Sequence, residues 1–467
     1  MRYLAFILAA ITSAEMQAFQ LAPRLVVNVT IDQLRTDYME AFSPLYTSNG
    51  FRRLLRDGLV YDAASYPFSP IERSSAVATL TTGTTPYYNG IIATKWLDRE
   101  TLQPVFCVDD ANYYASPKRL KTSTISDELK INSNGTALVY SFASDRESAI
   151  LSAGHAGDGA YWLDHSGKWI GSTYYGIVVP DWLKSYNSNK RQTSVKKGLT
   201  NDHVVDVALD AIANTKLGQD DVSDMVYITL SASKPDGLPV THWQTEMESV
   251  YMQLDNTLNK LISGVEKKIG LDQVLFVVTS TGYAEENGTN LAKYRVPTGT
   301  FYINRTANLL NIYLGAVYGQ GRYVEQTFGN QIYLNHKLIE QKRAAMSEVL
   351  GRCQAFLIQN EGVADVYTSD RLLAGNYEIA KIRNGFNPSV SGDIIIEVAP
   401  GWKLLNENTQ ETYTSRAGFV PFPIIFMGKD ITPRRISTPV TVDQIAPTVA
   451  KAIRIRAPNA CNSAPLF

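Results

Sequence analysis

Acidic side chains near the ends of buried strands are the first candidates for chemistry in this sequence. An apolar run that starts at Leu25 is typical of a buried strand and ends at Asp32. A second run, 224–230, leads into a polar loop that contains Asp236 and His242. In open α/β sheets, ligands bind outside the carboxyl ends of the strands. We therefore expect Asp32 to face a ligand crevice. The alternative is a solvated carboxylate or a helix cap.

The elements that position these residues alternate between strands and helices. Apolar runs predict strands over 24–32, 59–66, 137–142, 224–230, 273–279, 392–398 and 422–427. Helical spacing predicts helices over 38–58, 125–130, 201–213, 246–265 and 441–452, with another helix after Pro70. This alternation favours an α/β fold whose central sheet is mostly parallel and sandwiched by helices, with inserted cap segments.

Two stretches interrupt the alternation. The segment 160–192 is rich in Trp, Tyr and Gly and lacks periodicity, so we expect short strands and loops that lie over the sheet. The segment 304–384 contains two helical patterns, which indicates an inserted subdomain. A chain of 467 residues is long for one domain. We therefore expect a large core with an inserted cap, or two domains.

Composition and charge exclude several classes of protein. A hydrophobic content of 45% with 19% charged residues is that of a globular protein and excludes a disordered or fibrous one. A formal net charge of -1 gives no support to nucleic-acid binding. Cys107, Cys353 and Cys461 are too few and too scattered for a disulfide framework or a zinc ribbon, although one bridge remains open.

The N-terminus has the pattern of a secretory signal peptide. A basic start precedes a short apolar run and small residues, which place cleavage after Ala14 or Ala18. The alternative is a buried helix. No other apolar run approaches membrane-spanning length, so we expect an exported protein, periplasmic or secreted, in which 1–18 is removed and 24–467 forms the folded domain.

Several motifs in sequence order resemble those of the alkaline phosphatase superfamily. The branch that they resemble is that of the exported phosphate-irrepressible alkaline phosphatases, which are related to the type I phosphodiesterases and nucleotide pyrophosphatases. The motifs are Val-Thr-Ile-Asp32-Gln-Leu-Arg-Thr-Asp-Tyr38, Thr82-Gly-Thr-Thr-Pro86, Ser126-Asp-Glu-Leu129, Ser144-Asp-Arg146, Ala153-Gly-His155, Ser391-Gly-Asp393 and Asp443-Gln-Ile-Ala-Pro-Thr448.

The resemblance implies hydrolysis of phosphate esters with two zinc ions. The metals would polarise the phosphoryl oxygens, activate a Thr or Ser nucleophile and stabilise the leaving oxygen. Such a site needs imidazole and carboxylate ligands that converge on each metal. Asp32 matches the acid at the tip of the first strand, and Asp236 fits the second acidic position. Val240 stands where the resemblance implies a histidine, and His242 follows two residues later.

Other positions depart from the pattern. Arg73 stands at the helix N-terminus where the nucleophile is expected, and arginine stays protonated at any accessible pH. Ser74 would serve only if the loop were shifted. After the strand at 273–279 the sequence reads Ser280-Thr-Gly-Tyr283, which lacks the expected acid and histidine. Ser144 replaces a substrate-binding lysine, whereas the phosphate-clamping arginine is kept as Arg146.

The metal candidates that remain are Asp32, Asp236 and His242, too few for two zinc ions in their usual coordination, so we expect zinc to be absent or reduced. His155 and His165 occupy no ligand position, and a structural role is favoured for His155.

One hypothesis is a catalytically silent protein that binds an anion or a protein partner. In it, Arg73 and Arg146 hold a small anion or a phosphoester, or Arg73 pairs with Asp32 and Asp236 in place of the metal charge. The alternative hypothesis is an active phosphomonoesterase or phosphodiesterase. It would use a rebuilt metal site on Asp32, Asp236 and His242, with Ser74 or a water molecule as the nucleophile.

Overall fold

The structure is a computed structural model that describes most of the chain. The described residues are 21–176, 178–189, 200–233, 243–283, 295, 297–414 and 420–467. The predicted signal peptide at 1–18 lies outside them, and so do Asp236 and His242. Among the described residues, no helix is both long enough and apolar enough to cross a membrane.

The strands of the described residues fall into five sheets. In chain order they are β1 (Leu25–Asp32), β2 (Leu59–Ser65), β3 (Lys95–Leu97), β4 (Pro104–Phe106), β5 (Asp109–Asp110), β6 (Tyr114–Ala115), β7 (Val139–Ala143), β8 (Gly159–Leu163), β9 (Trp169–Gly171), β10 (Asp224–Ser231), β11 (Val274–Ser280), β12 (Gly299–Tyr302), β13 (Val324–Phe328), β14 (Gln331–Leu334), β15 (Val363–Thr368), β16 (Ile394–Val398), β17 (Trp402–Asn406), β18 (Glu411–Thr414), β19 (Phe422–Gly428), β20 (Arg434–Ile436) and β21 (Val440–Thr441).

The helices follow the strands closely along the chain. In chain order they are α1 (Thr36–Ala41), α2 (Phe51–Asp57), α3 (Arg73–Thr82), α4 (Pro86–Asn89), α5 (Ile125–Asn132), α6 (Arg146–Ala153), α7 (Asp181–Asn189), α8 (Thr200–Asn214), α9 (Trp243–Lys268), α10 (Ile303–Tyr318), α11 (His336–Gln341), α12 (Met346–Leu357), α13 (Ser369–Leu373), α14 (Ala380–Gly385) and α15 (Ile445–Ala452). Short 3-10 turns lie at Ser43–Leu45, Thr173–Tyr175, Leu271–Gln273, Tyr377–Ile379 and Val442–Gln444.

A ten-stranded sheet forms the centre of the fold. Its order is β20, β2, β19, β11, β1, β10, β7, β8, β9, and β21 also pairs with β2. The run from β11 through β1, β10 and β7 to β8 is parallel throughout. Antiparallel pairs flank it, at β19 on one side and at β9 on the other. The predicted mostly parallel sheet is confirmed, and the carboxyl ends of β1, β7, β10 and β11 meet at one edge.

Helices cover both faces of this sheet. Val27, Val29 and Ile31 of β1 belong to the hydrophobic core with α1, α2, α8 and α9. Val26, which points to the opposite face, packs with α3, α5 and α15. Each fully buried side chain of this kind contributes about 2 kcal/mol relative to an exposed one. The predicted sandwich of helices around the sheet is therefore confirmed.

A second packing unit extends from β12 to β18. It contains a three-stranded sheet, β12-β17-β18, and a four-stranded sheet, β13-β14-β16-β15. Its own hydrophobic core lies between these strands, α10 and α12. The unit extends beyond the predicted insertion at 304–384 on both sides. The strand predicted at 392–398 is β16, which belongs to this unit and not to the central sheet.

The segment 160–192 differs from the expected surface cover. β8 pairs in parallel with β7, and β9 pairs with β8, so both strands extend the central sheet. Tyr161, Trp162 and Trp169 are buried. Large aromatic side chains here fill the sheet edge, where the strands are too short to show periodicity.

All three cysteines are free. Cys107 and Cys353 are buried in two different hydrophobic clusters, and Cys461 lies near the end of the chain. The disulfide that the sequence left open is therefore not formed.

The helix predicted over 38–58 is broken by a distant carboxylate. Between α1 and α2, the backbone N–H of Thr47 donates to Asp255 of α9 at 2.6 Å, and that of Phe51 donates to it at 2.7 Å. Asp255 is 1% exposed. An added Cβ on Gly50 would lie 2.0 Å from its Oδ1 atom, so a glycine is needed at this close approach. The helical spacing of apolar residues over 38–58 gives no indication of this contact.

Asp255→Ala is expected to lower the free energy of unfolding by about 3 kcal/mol, because it leaves backbone donors between α1 and α2 without an acceptor. Urea denaturation followed by tryptophan fluorescence measures the change. Glu248→Ala, at an exposed position of the same helix, is the control and should change it by less than about 0.5 kcal/mol. Equal effects of the two substitutions would contradict the role of Asp255 as the acceptor for these N–H groups.

Candidate functional site

Asp32 ends β1 at the centre of the sheet edge and is 1% exposed. Its Oδ2 atom accepts two hydrogen bonds from Arg73, one from Nη2 at 2.7 Å and one from Nε at 3.0 Å. Its Oδ1 atom accepts a hydrogen bond from the Thr281 hydroxyl at 2.9 Å. Both carboxylate oxygens are therefore engaged by side chains of the protein itself.

Arg73 is the first residue of α3. Its Nη1 atom also lies 3.4 Å from Asp145, which is the N-cap of α6. Burial by itself lowers the pKa of Arg73, but the charges of Asp32 and Asp145 outweigh burial and raise it. The guanidinium is therefore a permanent positive charge at the position where the sequence predicts the nucleophile.

The hydroxyls of the two serines that follow Arg73 are bonded to residues other than Asp32. Ser74 is 1% exposed, and its hydroxyl lies 2.9 Å from that of Thr94. The Ser75 hydroxyl accepts from the N–H of Glu72 and donates to the carbonyl of the same residue, which closes the first turn of α3. This geometry gives Ser74 no access to the crevice, and the shift that would make it a nucleophile is not observed.

Arg146 occupies separate surroundings. Its guanidinium donates to Asp109 and to Glu147, each at 2.8 Å. The rings of Phe106 and Tyr114 lie 4.9 Å and 5.3 Å from its central carbon. Burial alone lowers the pKa of Arg146, but Glu147 and Asp109 raise it overall. The structure does not bring Arg146 into the crevice beside Arg73.

A cavity of about 450 Å³ opens beside the Arg73–Asp32 pair. Its floor is formed by the strand ends around Asp32, Asp145 and Thr229, and one wall is formed by α8 and α9. Asp202 of α8 and Glu246 of α9 also line it. The cavity has the position of a ligand site in an open α/β sheet and a volume within the usual range of about 300–1,000 Å³.

The residual metal candidates do not assemble into a described site. Asp236 and His242 lie outside the described residues. Within the described ranges, no three His, Cys, Asp or Glu side chains are grouped so that they could hold a metal ion. At Asp32, the one candidate that is described, Arg73 and Thr281 occupy both oxygens. The described residues therefore do not fit the two-zinc site that the resemblance implies.

Two partners of this network were not predicted. Thr281 follows β11, which pairs in parallel with β1, so the two strand ends lie side by side. Asp145 follows β7 at the same edge of the sheet. The sequence signal that could have identified both residues is their position directly after parallel strands, whose carboxyl ends share one edge of the sheet. A polar residue directly after any of these strands is a candidate neighbour of Asp32.

His155 has the structural role that the sequence favoured. Its Nδ1 atom lies 2.9 Å from Asp127, and its Nε2 atom lies 3.0 Å from the carbonyl oxygen of Leu120. Both neighbours are acceptors, so only the protonated ring satisfies both contacts. The hydrogen bond that His155 donates to Asp127 raises the pKa of His155. Burial raises the pKa of Asp127, but the contact with His155 and backbone donors lower it overall.

Comparisons with known proteins agree with this architecture. A sequence profile described as type I phosphodiesterase / nucleotide pyrophosphatase matches residues 26–418. A protein of Myroides odoratus named calcium-transporting ATPase is 26% identical over 94% of this chain and 93% of its own length. The alkaline phosphatase PhoV of Synechococcus elongatus is 25% identical over 94% of this chain and 91% of its own.

A solved structure extends the likeness to the fold. The crystal structure of the alkaline phosphatase PafA superposes with a TM-score of 0.83 and covers 95% of this chain and 98% of that one, at 24% identity. At this identity the superposition shows the shared fold, and the chemistry of the crevice has to be argued from the residues of this chain.

Arg73→Met is expected to lower the free energy of unfolding, because it leaves the buried Asp32 without its counter-charge. A fully buried pair would cost about 3–5 kcal/mol, and the partial exposure of Arg73 reduces the expectation to about 2 kcal/mol. Asp32→Asn in the Arg73→Met background should recover most of the loss. Arg435→Met, which breaks an exposed pair with Asp62, is the control in the same urea titrations. A loss no larger than that of the control would refute the assigned pairing.

His155→Gln is expected to cost more stability at about pH 5.5 than at about pH 8.5. Because the folded-state pKa of His155 is raised, its stabilisation is fully present below the unfolded-state value, about 6.5, and is lost as the pH rises through the folded-state pKa. The lowered pKa of Asp127 sets the acid limit, since that contribution is lost as the pH falls. Thermal unfolding at both pH values tests this, with the exposed His165→Gln as the control. A pH-independent cost would contradict the pairing of a protonated His155.

Proposed function

Because the chain belongs to the type I phosphodiesterase / nucleotide pyrophosphatase family of the alkaline phosphatase superfamily, we propose that it is a catalytically silent member. In this proposal it keeps the fold and the crevice, and it binds a ligand or a partner without hydrolysing a phosphate ester. Its export stays a prediction of the sequence, because the predicted signal peptide lies outside the described residues.

The observation that carries the proposal is the contact between Arg73 and Asp32. A nucleophile in phosphoryl transfer needs a hydroxyl or another group with a free electron pair, and a guanidinium has none to offer. The same guanidinium puts a positive charge 2.7 Å from the Asp32 oxygen that a metal ion would need. A metal ion on the same oxygen would be a close neighbour of this guanidinium, and two neighbouring cations repel each other in a partly buried site. In this proposal, Arg73 stands in the place of the nucleophile, and its positive charge also disfavours metal binding at Asp32.

The alternative hypothesis, an active phosphomonoesterase or phosphodiesterase, has less support from the residues that line the crevice. It needs Asp32 as a ligand, but both oxygens of Asp32 already accept hydrogen bonds from Arg73 and Thr281. Its serine nucleophile would be Ser74, whose hydroxyl is buried against Thr94. A water nucleophile would still require a metal that the described donors do not hold. We therefore keep hydrolysis as an outcome of the test and not as a second function.

The hypothesis that Arg73 and Arg146 together bind an anion also has less support. Arg73 is held by Asp32 and Asp145, and Arg146 is held by Asp109 and Glu147. Each guanidinium is therefore neutralised locally, and the two do not share one cavity. A phosphate that enters the crevice would have to displace a carboxylate from Arg73.

The purified protein is expected to hydrolyse neither p-nitrophenyl phosphate nor bis-p-nitrophenyl phosphate above the buffer rate, with or without added zinc. Asp32→Ala should give the same background rate as the unchanged chain, because no metal-bound intermediate depends on Asp32. The alkaline phosphatase PafA, assayed in parallel, is the positive control. Elemental analysis should find less than stoichiometric zinc. Stoichiometric zinc together with turnover that Asp32→Ala abolishes would refute the silent function.

A further inference from the structure

We propose that the cavity beside Arg73 binds a small organic cation of the polyamine class, with several ammonium groups separated by methylene chains. This inference rests on the proposed function, because it takes the cavity as a binding site and not as a metal-dependent active site. It reverses the sign of the ligand that the resemblance implies, and the reversal follows from the charges and hydroxyls that line the cavity.

The described lining carries four carboxylates and one guanidinium. The carboxylates belong to Asp32, Asp145, Asp202 and Glu246, and the guanidinium belongs to Arg73. Since Arg73 neutralises one negative charge, the described part of the lining keeps a net charge of three negative units. Facing a concave, partly enclosed space, such a lining raises the local concentration of cations and repels phosphate esters.

The four carboxylates differ in the number of hydrogen-bond partners that the protein provides for them. Asp32 is engaged at both oxygens, and Asp202 accepts a hydrogen bond from the Thr257 hydroxyl. Asp145 accepts the N–H of Ser148 at the start of α6 and lies 3.4 Å from Arg73. Glu246 has no hydrogen-bond or ion-pair partner among the described residues. Glu246 and Asp145 are therefore the lining acids best able to take a ligand ammonium group.

Thr229 is an independent pointer to a ligand. It lies on β10, is 5% exposed and lines the cavity. Within the part of the chain that the structure describes, its hydroxyl has no hydrogen-bond partner. Because the rest of the residue is buried and it lines the cavity, a hydrogen-bond partner for its hydroxyl would enter from the cavity. A threonine oxygen is a suitable acceptor for an ammonium group.

The spacing favours an extended organic cation over a metal ion. The acids come from separate elements, since Asp145 precedes α6, Asp202 lies on α8 and Glu246 lies on α9. No three such groups converge on one point in the described ranges, as a metal would require. Leu230 and Val250 line the space as well and provide apolar contact for methylene groups. A chain of amines matches both the separated charges and the apolar surface between them.

Spermidine is the probe for the test, with the full chain titrated by isothermal calorimetry at low salt. We expect saturable binding of one molecule per chain, weakened by added salt as charge complementarity requires. Glu246→Gln should weaken binding about tenfold, because it removes one charge-assisted contact. Glu248→Gln lies two residues further along the same helix at an exposed position outside the lining, and it should leave the affinity unchanged.

Thr229→Val tests the second pointer without changing any charge. Because the Thr229 hydroxyl has no partner among the described residues, the substitution should leave the melting temperature of the ligand-free protein unchanged, and it should weaken spermidine binding about fivefold. Equal affinities of the Glu246→Gln and Glu248→Gln variants would overturn the assigned site, since they would indicate non-specific attraction. Binding of inorganic phosphate or of Mg²⁺ in place of spermidine would overturn the proposed ligand class.

The same preparation separates this inference from the proposed function. Turnover of a phosphomonoester with intact spermidine binding would refute catalytic silence and leave the cation site standing. No turnover and no spermidine binding would refute the cation site and leave catalytic silence standing.

Discussion

The structure depends on how a buried carboxylate at the centre of the sheet edge is neutralised. Asp32 is almost fully buried at the tip of β1, and an uncompensated charge there would cost several kcal/mol. In a metal-dependent relative of this fold, a cation supplied from solution would meet that need. Here the first residue of α3 supplies the cation, and Thr281 completes the coordination of the carboxylate. The charge of Asp32 is thereby balanced by a side chain of the protein itself.

This solution also fixes the geometry of the site. The network joins α3 to β1, β11 and the start of α6 through Arg73, Asp32, Thr281 and Asp145. An arginine offers donors in a planar fork, so it defines the direction of its partners more closely than a lysine would. The floor of the crevice is consequently preformed by side chains, and α8 and α9 contribute the opposite wall.

The sequence predicted the framework well, because long apolar runs leave little choice of element. β1, β10 and β11 appear where their runs predicted them, and Asp32 stands at the strand end as expected. The placement of Arg73 at a helix N-terminus also agrees with the sequence. What could not be predicted were contacts between residues far apart in the chain. Asp255 breaks a helix from a distance of about two hundred residues, and Thr281 approaches Asp32 only because β11 pairs with β1.

Short aromatic strands were a second source of error, for a related reason. β8 and β9 are too brief to show a period of two, and their Trp and Tyr content resembles that of an exposed cover as much as that of a sheet edge. In the structure, Tyr161 packs on Phe142 and Trp182, so the aromatic rings close the hydrophobic core. Composition alone does not distinguish these two uses of aromatic side chains.

The replacement of a metal by an arginine that we propose affects the choice of ligand as well as catalysis. A divalent ion brings two positive charges and attracts anions, whereas one guanidinium brings a single charge that Asp32 already consumes. Among the described residues, the acids that remain around the crevice are Asp145, Asp202 and Glu246, and they make its potential negative. The catalytic silence and the low affinity for phosphate that we propose therefore have the same physical origin. In our proposal, an arginine in place of the metal ions turns this crevice into one that repels phosphate and attracts cations.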